Sequence, residues 1–275
     1  MENIYLLVLI GLFVGTIGTL IGVGGGFIIV PFLILINTGL SPESITAVSM
    51  AVIACNAVSG SAAYMRSKRI DFKAGLVFAA FTIPGSILGV MTTKQIDRDT
   101  FDILFGILLF SMAVFLYLKG GNQRPAVKPE LSHRGWVQQR IIDRQGNVYE
   151  YAYDIRKGSL LSLFVGYFSP VFGIGGGIVH VPAMTEWLKF PVHIATATSQ
   201  FILGIMAIVS VVTHFFNGSY KDPLLVIMII GLALGVIPGA QLGAYISRRI
   251  HGRLIVRILS IALGLIGLRI LFSQI

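Results

Sequence analysis

Gly15-Thr-Ile-Gly-Thr-Leu-Ile-Gly-Val-Gly-Gly-Gly-Phe-Ile-Ile-Val-Pro31 returns in the second half of the chain as Gly166-Tyr-Phe-Ser-Pro-Val-Phe-Gly-Ile-Gly-Gly-Gly-Ile-Val-His-Val-Pro182, glycines and proline in register. Further echoes follow in the same order: Thr46-Ala-Val-Ser49 matches Thr196-Ala-Thr-Ser199, and Ile83-Pro-Gly85 matches Ile237-Pro-Gly239. A fixed order of echoes is the mark of a duplication. Each half divides alike, into a long apolar segment broken by glycines and three further apolar segments. These run over 4–36, 43–65, 72–92 and 100–118, then 158–189, 192–216, 222–246 and 252–272. The organisation expected is a first repeat over 1–118, a connector over 119–157 and a second repeat over 158–275.

The composition says where such a chain lives. Of its 275 residues 55% are hydrophobic and only 12% charged, with a mean hydropathy of +0.84, which excludes an ordinary soluble globule. The apolar segments are long enough to enter or cross a hydrocarbon core of about 30 Å. A transmembrane barrel would alternate apolar and polar residues along each strand, and no long alternation occurs. The expected class is therefore an all-α polytopic membrane protein. The net charge of +9 comes from basic residues grouped beside the ends of apolar segments, as Arg66, Lys68 and Arg69 are. That pattern reflects membrane topology, not a nucleic-acid surface. Cys55 is the single cysteine, which rules out an intrachain disulfide and a thiolate cluster. The first apolar stretch lacks a basic start and a small-residue cleavage site, so it reads as mature structure. Ser41-Pro42-Glu43 supplies an N-cap, a first-turn proline and an acid at a positive helix end, and Pro191 takes the corresponding part in the second half.

The connector is basic, with Lys119, Arg124, Lys128, Arg134, Arg140, Arg144, Arg156 and Lys157 outweighing Glu130, Asp143, Glu150 and Asp154. Within it, Arg140 to Tyr153 reads as two short alternating strands around a Gln145-Gly146-Asn147 turn, a small β-hairpin. Charge also sets the topology. If each glycine-broken segment returns to the side it left, then Arg66 to Arg69, the connector, Lys189 to His193, and Arg248, Arg249, His251 and Arg253 share one side. By the positive-inside rule that side is the cytoplasm. Each half then has three crossings plus a re-entrant helical hairpin, so the second repeat is inverted relative to the first and both termini lie outside.

Irregular backbone at membrane depth strands polar groups unless it is buried in protein or lines a wet cavity. The breaks at Gly22–Gly26 and Gly173–Gly177 therefore need a use. Arms of about fifteen residues rise roughly 22 Å, so the two tips are expected to meet inside the bilayer from opposite sides. A new helix starts just after each tip, aiming free N–H groups and a positive helix end inward, which suits an anion. Glycine permits the torsions and the close approach. The candidate substrate-binding groups are Gly24, Gly25 and Gly26 with Gly175, Gly176 and Gly177. The next helices add side chains. Thr46, Ser49, Asn56 and Gly60 share one helical face, and Thr196, Ser199, Gln200, Leu203, Ala207 and Ser210 form its counterpart, with His214 at the end. Of these, Ser49, Asn56, Ser199 and Gln200 are the candidates, neutral groups able to bind an oxyanion and release it. His180 reads as a buried core residue. A dinucleotide fingerprint is excluded, since Phe27 stands where its third glycine belongs. With no Asp, Glu, Lys or Arg deep in a span, no catalytic residue, metal ligand or cofactor is expected.

The paired motifs Gly22-Val-Gly-Gly-Gly26 and Gly173-Ile-Gly-Gly-Gly177-Ile-Val-His-Val-Pro182, the stretch Phe190-Pro-Val-His-Ile-Ala-Thr-Ala-Thr-Ser199 and the Pro-Gly pairs at 84 and 238 resemble the sulfite exporter TauE/SafE family over essentially the whole chain. Composition and spacing reach only a small anion. The resemblance implies a multi-pass transporter of the bacterial inner membrane that exports sulfite, sulfoacetate or a related organosulfonate. The partners expected are that anion, the lipid bilayer and a second copy of the chain in a homodimer, and not nucleic acid. An anion channel and a membrane-embedded sensor signalling through the connector are the alternative readings.

Overall fold

The computed structural model describes residues 4–36, 39–119, 136–247 and 252–272. Part of the connector, and Arg248, Arg249 and His251 of the basic cluster used above, lie outside them. Among the described residues the order is α1 (Ile4–Ile21), α2 (Gly26–Ile36), α3 (Pro42–Arg66), α4 (Phe72–Thr93) and α5 (Arg98–Lys119), then β1 (Trp136–Ile142) and β2 (Val148–Asp154). The second half follows with α6 (Ile155–Phe172), α7 (Gly177–Glu186), α8 (Val192–Phe216), α9 (Pro223–Ile246) and α10 (Gly252–Phe272). Among the described residues α1, α3, α4, α8 and α9 are long and apolar enough to cross a membrane. Leu9, Phe13, Leu76, Leu88, Ile208 and Leu234 point outward from them, as expected of a lipid-facing surface. The protein is a multi-pass, mostly helical membrane protein.

The helices start where polar caps stand. Ser41 accepts from the Ser44 amide, Asp71 from Ala74, Asp154 from Arg156 and Asp222 from Leu224. Pro42 opens α3 as expected, whereas Pro191 sits one position earlier, at the cap of α8, and gives no side-chain bond. The glycine-broken segments are also less even than fifteen and fifteen. Their long arms α1 and α6 have 18 residues each, and their short arms α2 and α7 have 11 and 10, because the breaks lie beyond the midpoint.

Small residues set the packing. Along α1, Gly11 and Gly15 lie against the carbonyls of Leu232 and Val236, while Gly235, Gly239 and Gly243 of α9 lie against those of Val8, Leu12 and Thr16. In the exchanged pair Gly85 and Gly89 of α4 meet the α6 backbone at Leu163 and Tyr167, and Gly166 meets Thr82. A side chain at any of these points would drive the backbones apart, so glycine is what lets them touch. The principal contacts map onto each other when the halves are exchanged: α1 with α9 onto α6 with α4, α3 with α9 onto α8 with α4, and the pairs α3–α8 and α5–α10 onto themselves.

The β-hairpin pairs antiparallel from Trp136 with Asp154 to Ile142 with Val148, around a turn in which Gly146 has φ +85°. Its first strand starts earlier than the pattern suggested, and α6 begins at Ile155, inside the stretch assigned to the connector. The hairpin is docked on the helices. Tyr151 and Tyr153 pack at a tilt against Phe190, with ring centroids 4.8 and 4.7 Å away, and pack with Phe78, Met184 and Leu188. The Tyr151 hydroxyl donates to Asp71 at 2.8 Å, and Arg69 pairs with Asp143 at 2.9 Å with both side chains buried. Burial pushes the Asp143 carboxyl up, but bonds from Asn147, Arg69 and the Gln145 amide outweigh it and hold the group at about 2.

Candidate functional site

The site is built first from backbone. Gly22, Gly24 and Gly25 have φ of +81°, +82° and +86°, and Gly173, Gly175 and Gly176 have +64°, +86° and +63°, a region L side chains rarely adopt. These torsions close each long arm: the Val23 and Gly24 amides return to the Gly18 carbonyl, and those of Gly173 and Ile174 return to Pro170 and Ser169. The short arms restart at once. Ile28 and Ile29 donate to the Gly25 carbonyl, and Val179 and His180 to that of Gly176, so both short arms present a positive helix end, with the Gly177 amide turned back to the Gly175 carbonyl at 2.6 Å.

The two tips touch. A Cβ on Gly26 would meet the carbonyls of Gly173 and Ile174, the latter at 2.6 Å, and one on Gly177 would meet the Gly22 carbonyl and, at 2.5 Å, Val23 Cα. The candidate glycines of both halves thus form one contiguous cluster, all of it buried. Ile53 and Leu203, both fully buried, press on it: Leu203 abuts Gly24, and Ile53 lies against Gly24, Gly26 and Gly175.

Side chains tie each tip to the opposite half. Ser49 donates to the Gly173 carbonyl at 2.5 Å and Ser199 to the Gly22 carbonyl at 3.2 Å. Thr46 packs on Gly173 and Thr196 on Gly22 in the same exchanged sense. Both serine protons are therefore spent on backbone in this closed arrangement. Asn56 and Gln200 come together through a residue the sequence reading passed over, Thr19. Its hydroxyl donates to Asn56 Oδ1 at 2.7 Å and accepts from Gln200 Nε2 at 3.3 Å. Gln200 Nε2 also lies 3.4 Å from the Asn56 carbonyl, and Gly60 leaves room for the group, since a Cβ there would stand 2.9 Å from Gln200 Nε2. All three side chains are fully buried, yet Asn56 Nδ2 and Gln200 Oε1 find no protein partner. The cluster therefore keeps one donor and one acceptor in reserve. The signal for Thr19 was within the opening motif: a hydroxyl one turn before the break, where the second copy has Pro170.

Other polar groups near these faces bond locally. Thr46 and Ser210 bond back to their own helices, and His180 is buried with Nε2 3.1 Å from Ser162 Oγ. Among the described residues no three His, Cys, Asp or Glu side chains gather as a metal site.

Comparison with known proteins gives the family. The family model described as Sulfite exporter TauE/SafE matches residues 7–270. The chain is 34% identical to the probable membrane transporter protein YunE of Bacillus subtilis, over 98% of each. It is 27% identical to a probable membrane transporter protein of Methanocaldococcus jannaschii, over 96% of this chain and 93% of the relative. It is 21% identical to the probable membrane transporter protein YfcA of Escherichia coli, over 85% of this chain and 78% of the relative. No solved structure matches. A duplicated, glycine-broken helical frame matched along nearly its whole length leaves one assignment: the chain belongs to the sulfite exporter TauE/SafE family of membrane transporters.

Proposed function

We propose that the protein is a secondary transporter that exports a small sulfur-containing anion, sulfite, sulfoacetate or a related organosulfonate, by alternating access between two inverted repeats. The observation that carries the reading is the contact of the two glycine tips, Gly26 on Gly173 and Ile174, and Gly177 on Gly22 and Val23. Directions along the chain support the inversion. α1 runs parallel to α9, and α4 to α6, while Glu43 of α3 meets the turn after α8 and Arg69 beyond α3 meets the β-hairpin that leads into α6. The first hairpin then dips in from the Glu43 end and the second from the Arg69 end. Neither arm pair crosses; each brings a positive helix end to mid-depth.

The cycle follows from what holds the tips closed. When one repeat rocks against the other, the Ser49 and Ser199 bonds to opposite-half carbonyls break, Ile53 and Leu203 draw back, and hydroxyls and amides face the gap. A divalent or monovalent oxyanion replaces the lost bonds, with Asn56 Nδ2 as a further donor. Neutral donors bind it without the grip a buried lysine would exert, so release on the other side stays possible. Proteoliposomes loaded with labelled sulfite, sulfoacetate or acetate test this: the sulfur anions are expected to exchange and acetate to lag, with Gly25→Leu and Gly176→Leu inactive though folded. Normal transport by both folded variants overturns the tip mechanism, and no movement of any anion overturns the transport reading.

A further inference from the structure

Away from the glycine tips, the end of the bundle opposite the β-hairpin holds a chain of three polar groups. Ser219 Oγ donates to Glu43 Oε1 at 2.7 Å, so its lone pairs face His214 Nδ1, 3.1 Å away. Nδ1 therefore carries the imidazole hydrogen and Nε2 the lone pair. That Nε2 is buried without a partner, in a side chain that is fully buried. Glu43 and Ser219 are only half-buried, so the chain leads from water to a closed interior nitrogen. An orphaned acceptor of this kind is unfavourable unless something fills it.

We propose that Glu43, Ser219 and His214 form a proton-binding relay, and that the proton is the ion coupled to transport. The coupling rests on the carrier reading; the proton site does not. A proton taken at Nε2 makes the imidazole cationic. Its Nδ1 proton then passes to Ser219 Oγ as the Ser219 proton passes to the Glu43 carboxylate, so one proton crosses the relay and the ring returns to neutrality. Both helix ends favour the charges involved. Glu43 lies in the first turn of α3 and His214 in the last turn of α8, where an anion and a cation respectively are stabilised. Few other groups face the site. Tyr220 of the α8–α9 turn sets its ring edge-on to His214 at 6.3 Å and donates to the Ala47 carbonyl. Lys221 lies against Gly218, and Asp222 caps α9. Glu43 is the one Asp, Glu, Lys or Arg in the first six turns of α3, and α8 and α9 have none.

The test pairs a spectrum with a flux. In nanodiscs holding the full chain with 15N-labelled histidine, His214, assigned by loss in H214Q, is expected to carry its hydrogen on Nδ1 at neutral pH and, on acidification, to carry it on Nε2 once Glu43 has taken the relayed proton, a switch that E43Q abolishes. In S219A the Nδ1–H preference is expected to disappear. In proteoliposomes with a trapped pH dye, sulfite flux is expected to move protons in the wild type and to lose that proton flux in H214Q and E43Q. A ring that keeps its hydrogen on Nδ1 at every pH overturns the site, whatever the flux data show. Wild-type anion flux without proton flux overturns the coupling, and absence of anion flux overturns the carrier reading while the spectrum still decides the site.

Discussion

Alanine at Gly26 and at Gly177 measures the tip contact directly. Both glycines are the first residues of their helices and neither has a positive φ, so alanine is conformationally allowed there and gains only part of the roughly 1 kcal/mol that it gains in a helix interior. What it meets is backbone of the other hairpin. The new methyl would stand 2.6 Å from the Ile174 carbonyl oxygen at Gly26, and 2.5 Å from Val23 Cα at Gly177. Ordinary contact begins near 3.4 Å, so each tip must withdraw by at least 0.8–0.9 Å, and further to clear the still closer carbonyls of Gly173 and Gly22. No side chain can rotate to relieve it. Overpacking of this kind costs about 1–3 kcal/mol, and the helix gain offsets only part. Because both methyls push the same two tips apart, the gap opened by the first should accommodate much of the second. The double variant is therefore expected to lose less stability than the two singles together, with a coupling of about 1 kcal/mol. Thermal unfolding of the wild type, both singles and the double in detergent reads this. Strict additivity, or two neutral singles, would refute the claim that the tips bear on each other.

Three further perturbations separate the parts of the site. Gly24→Ala adds strain at φ +82° on top of its clash with Leu203, so restoring space with Leu203→Ala should recover only part of the lost stability, the torsional part of about 1–2 kcal/mol persisting in the unfolding midpoint. Thr19→Val removes the hydroxyl joining Asn56 to Gln200 and leaves buried amides short of partners; a loss of about 1–3 kcal/mol is expected, with a raised KM for the transported anion in liposomes. Asp143→Asn leaves Arg69 buried opposite a neutral partner and should loosen the β-hairpin, read as faster hydrogen exchange over 136–154. The sign with pH is fixed by the depressed carboxyl: its contribution is complete above about pH 4, the unfolded value, and is lost as pH falls toward about 2, so hairpin exchange should be flat through neutrality.

Much of the frame was legible because the repeat writes it twice. Glycines that matched in sequence, Gly15 with Gly166 and Gly85 with Gly239, turn out to sit at matching helix contacts, since a position that needs a missing side chain in one half needs it in the other. Helix limits were readable from polar caps and basic ends. What escaped was contact between segments far apart in the chain. The alternation Tyr149, Tyr151, Tyr153 signals a strand, but nothing local tells that its inner face will land on Phe190 and Asp71. Asn56 and Gln200 were singled out for the expense of burying an amide, and both are buried, yet the hydroxyl that joins them stands on a third helix. Periodicity ranks residues on one element and says nothing about which residue faces them from another.

The closed site combines a symmetric part and an asymmetric one, and the division suggests what each does. Gly22 and Gly173, Ser49 and Ser199, and Thr46 and Thr196 are exchanged pairs, and their bonds run across the halves in both directions. A device built from such pairs responds equally from either side, as the proposed alternating access requires. The amide cluster has no such counterpart. In the registers set by those pairs, Asn56 corresponds to Met206, Gln200 to Met50 and Thr19 to Pro170, so each polar member faces an apolar mate in the other repeat. Its free donor and acceptor therefore mark one direction in an otherwise two-way frame. Selection among anions is expected to reside there: replacing Gln200 by leucine should alter which sulfur anion competes best while leaving tip closure, read by hydrogen exchange at Gly22–Gly26, unchanged. Equal loss for every anion together with faster exchange at the tips would place Gln200 in the gate instead.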